Sequence, residues 1–246
     1  MTNPRDVRPR WRLCLLGGFR LFSSDRLVDL PAAESHLVAY LAIQPYPTTR
    51  ARLAGIMWPD VAQARALANV RTALSHLRKT GLPLVSTRET VRLHDVVAID
   101  LDLVRDLALH PPQEEPSESA ISLLLAGDML PDWDLEWIEP ERERYRQLRL
   151  HLLESLCARF SSLREFARAL DLCTVAVAEA PLRETAQRQL IQVHLAEGNR
   201  AEAIRQFEAY RRVLDEELGL DASPEIVHLI DEASLLSSVD KRGSGG

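Results

Sequence analysis

The apolar positions along this chain change period part-way through, and the change divides it into two kinds of structure. Arg12 to Phe22, RLCLLGGFRLF, is apolar and broken by Gly17 and Gly18, and a second short run, Leu27 to Leu30, follows the polar SSDR turn. Short apolar runs punctuated by turn residues predict a small β-meander. Ser35 to Gln44 carries Leu37, Val38, Leu41 and Ile43 at helical spacing and stops at Pro45. Thr48 and Thr49 can cap a second helix, Arg50 to Trp58, which ends at Pro59. A third helix spans about Gln63 to Thr80 and is stopped by Gly81 and Pro83. LVSTRETVRL, Leu84 to Leu93, then alternates about a polar centre at Arg88 and Glu89, as a hairpin does.

HPPQEEPSES, His110 to Ser119, is too rich in proline and charge for a core and reads as a linker. Beyond it the helical period dominates, over Ile121 to Leu130, Glu141 to Phe160, Leu163 to Glu179, Leu182 to Glu197, Arg200 to Leu218 and Pro224 to Leu236. A shift of 34 residues aligns Leu156 with Leu190, Ala167 with Ala201, Ala169 with Ala203 and Leu170 with Ile204. That is the tetratricopeptide period, in which small alanines let paired helices approach. An unrelated helical bundle is the alternative reading. The expected fold is mainly α with a small β component: an N-terminal winged helix-turn-helix over residues 1–110, a tetratricopeptide-like helical domain over 111–236 and a disordered tail over 237–246.

On the third helix, Leu67, Val70, Leu74 and Leu77 cluster on one side at about 100° per residue and face the core. The other side presents Arg65, Asn69, Thr72, Ser75, His76 and Lys79, types that donate to base edges and phosphates, with no carboxylate among them. An ordinary solvated face mixes both signs, so this one reads as a base-reading surface. Arg71 and Arg78 sit nearer the core boundary, placed for phosphates or to cover apolar surface. Arg50 and Arg52 lie in the first turn of the preceding helix, where free N–H groups suit a phosphate and two cations oppose the helix dipole. Arg88 at the hairpin tip and Arg92 on its strand complete a basic helix–helix–hairpin series.

Charge supports that division. The net charge is -6, yet Met1 to His110 holds 15 Lys/Arg against 10 Asp/Glu and the remainder 15 against 26. Arg50 to Arg92 alone has eight basic residues and two acidic ones, Asp60 and Glu89. A basic block on an acidic protein points to a polyanionic partner met at one end. No segment approaches the roughly 18 apolar residues of a membrane helix, and Met1 to Arg10 is not of signal-peptide type. Cys14, Cys157 and Cys173 lie far apart without metal-ligand spacing and read as reduced thiols of a cytosolic protein. Phosphate-cradling loops, zinc motifs and nucleophile elbows are absent, and the seven histidines are scattered, so no catalytic or metal site and no cofactor is expected. Trp58 reads as a core anchor. The acidic-aromatic run PDWDLEWIEPERE, Pro131 to Glu143, reads either as a partner surface or as a staple, with Trp133 and Trp137 fixing a turn to the next helix.

LLGGFRLF, RARLAGIMWPD, ANVRTALSHLRK and VAIDLDLV resemble the winged-helix output domains found in bacterial antibiotic-pathway (SARP-type) regulators. GDMLPDWDLEWIEPERERYRQLRLHLLE, APLRETAQRQLIQVHLAEGNRAEAIRQFEAYRRVL and EELGLDASPEI resemble the bacterial transcriptional activator domain. The resemblance spans about Arg12 to Leu236. It implies a cytoplasmic activator that binds repeated double-stranded promoter sites and recruits RNA polymerase, through its sigma subunit. It also implies base reading by the third helix and a polymerase contact at the loop Pro59, Asp60, Val61 and Ala62. Tandem sites admit a homodimer on DNA. A nucleotide-binding switch or a phosphopeptide-reading domain, which larger relatives append, is not expected within this chain, nor is a receiver domain in front of the winged helix. Control by abundance or by a ligand of the helical domain both stay open. The alternative function is a tetratricopeptide-like adaptor whose basic domain does not read DNA.

Overall fold

The computed structural model describes residues 10–109 and 116–231. The first part of the expected linker, 110–115, the end of the expected last helix, 232–236, and the tail 237–246 lie outside the described residues. The chain divides into two compact units, Met1–Gln147 and Leu148–Gly246.

In the first unit the opening meander forms as β1 (Trp11–Cys14), β2 (Arg20–Ser23) and β3 (Arg26–Leu27). Three helices follow, α1 (Ala32–Ile43), α2 (Arg50–Met57) and α3 (Gln63–Thr80), with the short strand β4 (Thr48–Thr49) between the first two. Thr49 Oγ1 accepts from the Arg52 N–H at 3.2 Å, the cap expected of it. Gly81 closes α3 at φ 80, a left-handed position where a side chain would be strained. The hairpin is β5 (Leu84–Ser86) and β6 (Thr90–Leu93), and β4 adds to its other edge to give the order β4-β6-β5.

Two features of this unit have no periodic signal. β7 (Val97–Ile99) pairs parallel with β1, extending the first sheet to β3-β2-β1-β7, and it leads into α4 (Asp100–Leu109). Asp100 accepts from the backbone N–H groups of Leu15 at 2.9 Å, Leu16 at 3.0 Å and Leu101 at 2.8 Å. One carboxylate thereby ties the end of β1 to the start of α4. The second feature is the packing of residues beyond the linker onto this unit. After α5 (Glu118–Leu125), Leu16 bridges Met129, and Leu130 N–H donates to Leu15 O at 2.8 Å. Met129, Leu130 and Ile138 are wholly buried.

α6 (Glu139–Ser162) contains the division between the units. The second unit continues with α7 (Phe166–Glu179), α8 (Glu184–Glu197), α9 (Arg200–Leu218) and helical residues 224–231. The 34-residue shift superposes α6 on α8 and α7 on α9. Three of its four matched pairs share their burial: Leu156 with Leu190 and Ala169 with Ala203 are buried, and Ala167 and Ala201 are exposed, whereas Leu170 is half-buried and Ile204 exposed. Two of the expected free thiols are not free. Cys157 and Cys173, buried on facing turns of α6 and α7, form a disulfide across a Cα separation of 5.9 Å, leaving Cys14 as the free cysteine. Only the antiparallel packing of the two helices brings them together.

Candidate nucleic-acid interface

The core side of α3 is Ala66, Val70, Ala73, Leu74 and Leu77, each almost fully buried. Val70, Leu74 and Leu77 contribute roughly 1.5–3 kcal/mol each by leaving water, which fixes the rotation of the helix. Leu67 lies outside this set and stays half-buried, because at about 100° per residue it falls at the edge of the buried stripe, next to Arg71 and Arg78. The outward face is therefore centred on Ala68, Thr72, Ser75 and Lys79, all exposed, with Arg65 also exposed. Arg71 and Arg78 are exposed on one flank rather than covering the core edge, while Asn69, half-buried, and His76, exposed, lie on the other.

On the His76 flank, Nδ1 lies 2.8 Å from Glu34 Oε1 of α1. The Glu34 carboxylate is buried and can only accept, so Nδ1 carries the proton and Nε2 is left to face outward. Glu34 was not among the residues singled out from the sequence, where an acidic residue in the first turn of a helix reads as a dipole partner.

On the other flank three arginines converge. Arg50 Nη2 donates to Ser86 Oγ at 2.8 Å and to Thr87 O at 3.0 Å, and Arg78 Nη2 donates to the same Ser86 Oγ at 3.0 Å. Burial lowers the pKa of Arg50, and the charges of Arg78 and Arg71 lower it further. Arg50 Nε is buried with no partner, and no carboxylate pairs with Arg50, Arg71 or Arg78 among the described residues. Three like charges gathered at the junction of α2, α3 and the hairpin repel one another until an anion joins them.

The remaining basic residues are distributed more widely. Arg88 is exposed at the hairpin tip, in a turn closed by Thr87 N–H donating to Thr90 O at 2.9 Å. Arg92 turns away to Asp95, which already matches its charge. Arg52, exposed, donates through Nε to the Tyr40 hydroxyl at 3.1 Å. Pro59, Asp60 and Ala62 are exposed in the α2–α3 loop, with Val61 half-buried. Trp58 is half-buried rather than a core anchor, because it stands past the last turn of α2, next to the exposed Pro59 and Asp60. Trp133 stacks on Phe19 at 5.4 Å and meets His36 edge-on at 4.5 Å, while Trp137 meets Tyr40 edge-on at 5.2 Å. These rings fix their loop to the residue before β2 and to α1 rather than to the next helix. Among the described residues no helix is long and apolar enough to cross a membrane.

Residues 107–233, more than half of the chain, match the model of the bacterial transcriptional activator domain. The chain belongs to that family. It is similar to the regulatory protein AfsR of Streptomyces griseus, 28% identical over 233 residues, covering 89% of this chain and 24% of that protein. AfsR of Streptomyces coelicolor is 31% identical over 215 residues, 81% of this chain and 21% of its own. The chain thus spans about a quarter of the length of these relatives. In fold it is similar to Mycobacterium tuberculosis EmbR, solved in complex with a low-affinity phosphopeptide, at a TM-score of 0.71 and 20% identity, over 91% of this chain and 65% of that one. The bacterial transcriptional activator domain family is one of transcriptional regulators, not a class of enzymes, and the membership expected from the SARP-type motifs is met. The fold is that expected: mainly α, with a winged helix-turn-helix and a tetratricopeptide-like helical domain.

Proposed function

We propose that this chain is a sequence-specific activator that reads double-stranded promoter DNA with α3, grips phosphates at the α2–α3–hairpin junction, and recruits RNA polymerase. The observation that carries the DNA reading is the convergence of Arg50, Arg71 and Arg78 without a carboxylate, beside a helix face of Thr72, Ser75 and Lys79. A phosphate is the anion that B-form DNA offers at such a junction, and Thr, Ser and Lys suit base edges in the major groove. Arg65, Asn69 and His76 extend base reading along the helix, and Arg88 follows the backbone from the hairpin tip. Arg52 serves phosphate from the first turn of α2, whereas Arg92 contributes through its strand. DNA reading belongs to residues 1–110 and partner contact to 111–236 together with the loop 59–62, which meets the sigma subunit. Two copies occupy tandem promoter repeats, in the cytoplasm.

In vitro selection on fragmented genomic DNA, followed by salt-dependent binding to the enriched fragments, tests this reading. The expected result is a few promoter fragments sharing a direct repeat. Arg71→Ala should weaken binding to all sequences and lower the salt slope by about one unit. Retention without preference, or no retention at moderate salt, overturns it in favour of the adaptor reading.

A further inference from the structure

A cavity of about 470 Å³ opens in the first unit, lined by Ile56, Met57 and Pro59 at the end of α2 and by Leu135, Glu136 and Trp137. Its walls are apolar and its rim is acidic. Glu136 lines it, while Asp60 and Asp134 are exposed next to the lining residues Pro59 and Leu135. Asp60, Asp134 and Glu136 have no cation partner among the described residues. His36 also lines the cavity, and burial lowers its pKa, so it adds no positive charge at neutral pH. Of the nearby guanidiniums, Arg142 is taken up by backbone carbonyls, its Nε donating to Met129 O at 2.9 Å and its Nη2 to Trp133 O at 2.5 Å and to Leu130 O, with its charge matched by Glu139, while Arg52, one turn before Ile56, donates to the Tyr40 hydroxyl.

Contacts brace the loop that carries the groove. Leu130 holds a left-handed backbone at φ 48, uncommon for a branched residue, under the hydrogen bonds of Arg142 and Leu15. Trp137 rests on Tyr40, which in turn holds Arg52. A preformed apolar slot with unneutralised carboxylates at its rim selects one kind of occupant, apolar side chains bracketed by cations.

We propose that this groove docks a short cationic amphipathic segment of a protein partner, with one or two apolar side chains between Ile56, Met57 and Trp137 and flanking Lys or Arg on Asp134 and Glu136. The proposal rests on the polymerase-recruitment reading only for which protein carries the segment.

The test places a photocrosslinking benzoylphenylalanine at Gly55, which lines the groove and whose Cβ would meet nothing within 4 Å. The full chain is irradiated with purified bacterial RNA polymerase holoenzyme, with and without promoter DNA. The expected product joins a polymerase segment in which Lys or Arg brackets apolar residues. Its yield should fall at least about fivefold in the Asp134→Lys/Glu136→Lys variant, because like charges then face each other. DNA affinity of that exposed double variant, read by anisotropy, should stay unchanged. A crosslink indifferent to charge reversal, one to an acidic segment or to a second copy of this chain, or none at all overturns the groove. Crosslinking to polymerase without DNA binding would uphold the groove and remove the DNA-reading proposal, so the two fail separately.

Discussion

Glu34 and His76 form a pair in which a buried group decides what an exposed one can do. With Nδ1 committed to the carboxylate, the outward Nε2 of a neutral imidazole accepts a hydrogen bond, and that of a protonated one donates. Glu34→Gln keeps the volume but offers an amide that can either donate or accept, so the tautomer is released. The variant should lose roughly 1–2 kcal/mol of stability in urea unfolding, the worth of a charge-assisted bond that is partly exposed. It should also discriminate less at a single operator base pair when binding is measured across operator variants. Full discrimination in Glu34→Gln would remove His76 from the reading face. Arg50 poses a different constraint at the same scale: it is both a tie to the hairpin and a member of the cationic cluster, so its loss should affect the fold as well as DNA. Arg71, which makes no such tie, is the cleaner probe of phosphate contact.

Among the helices, α6 and α8 are joined by a carboxylate that titrates with folding. Glu154 of α6 accepts from Arg183 Nε at 2.6 Å and Nη2 at 3.1 Å, and from Thr185 Oγ1 at 2.7 Å at the start of α8. Burial alone would raise its pKa, but the hydrogen bonds from Arg183 and Thr185 and the Arg183 charge outweigh it and hold the group below its ordinary 4.5. A carboxyl depressed in the folded state stabilises fully above its unfolded pKa and loses that contribution as pH falls through the folded value. The wild type should therefore lose thermal stability below about pH 4.5 more steeply than Glu154→Gln, whose charge cannot titrate. At pH 7 the variant should be less stable by about 1–2 kcal/mol, since the bidentate pair is lost but the site is not sealed from water. Parallel melting curves as a function of pH would contradict this account.

For the molecule as a whole, the break in composition and the division between compact units fall at different places. The Pro- and Glu-rich stretch lies at 110–119, and the family model begins at 107, yet the first compact unit continues to Gln147. Met129, Leu130 and Ile138 are buried there, and Gly17 N–H donates to Asp128 O at 2.8 Å. A fragment of residues 1–147 should fold cooperatively. One of residues 1–110 uncovers the buried Leu15 and Leu16 and should be less stable by about 3 kcal/mol or more, the worth of two buried apolar side chains. Chemical denaturation of the two fragments measures the difference, and equal midpoints would show that residues 118–147 merely lie against the unit.

The sequence by itself determined what depends on local period and on turn chemistry. The meander, the first three helices and the hairpin stand where apolar spacing, Thr49, Pro45 and Gly81 put them, because each of these acts within a turn or two of chain. The 34-residue repeat was legible for the same reason, as one helix pair repeated. The absence of carboxylates from the α3 face and the concentration of basic residues between Arg50 and Arg92 were legible as charge, although not as geometry. Tertiary structure decided the rest. β4 and β7 are too short to carry a period and exist only because β6 and β1 offer them open edges. Alanines at 66 and 73, neutral in any count of apolar positions, turned α3 so that Arg71 and Arg78 stand exposed beside Arg50 while Asn69 and His76 move to the flank. The Glu34–His76 pair spans 42 residues, the Arg50–Ser86 bond 36 and the Asp100 tie 85, and such contacts follow from packing rather than from spacing. The groove beside Trp137 likewise needs α2 and a loop some 80 residues later, which only the folded chain places together.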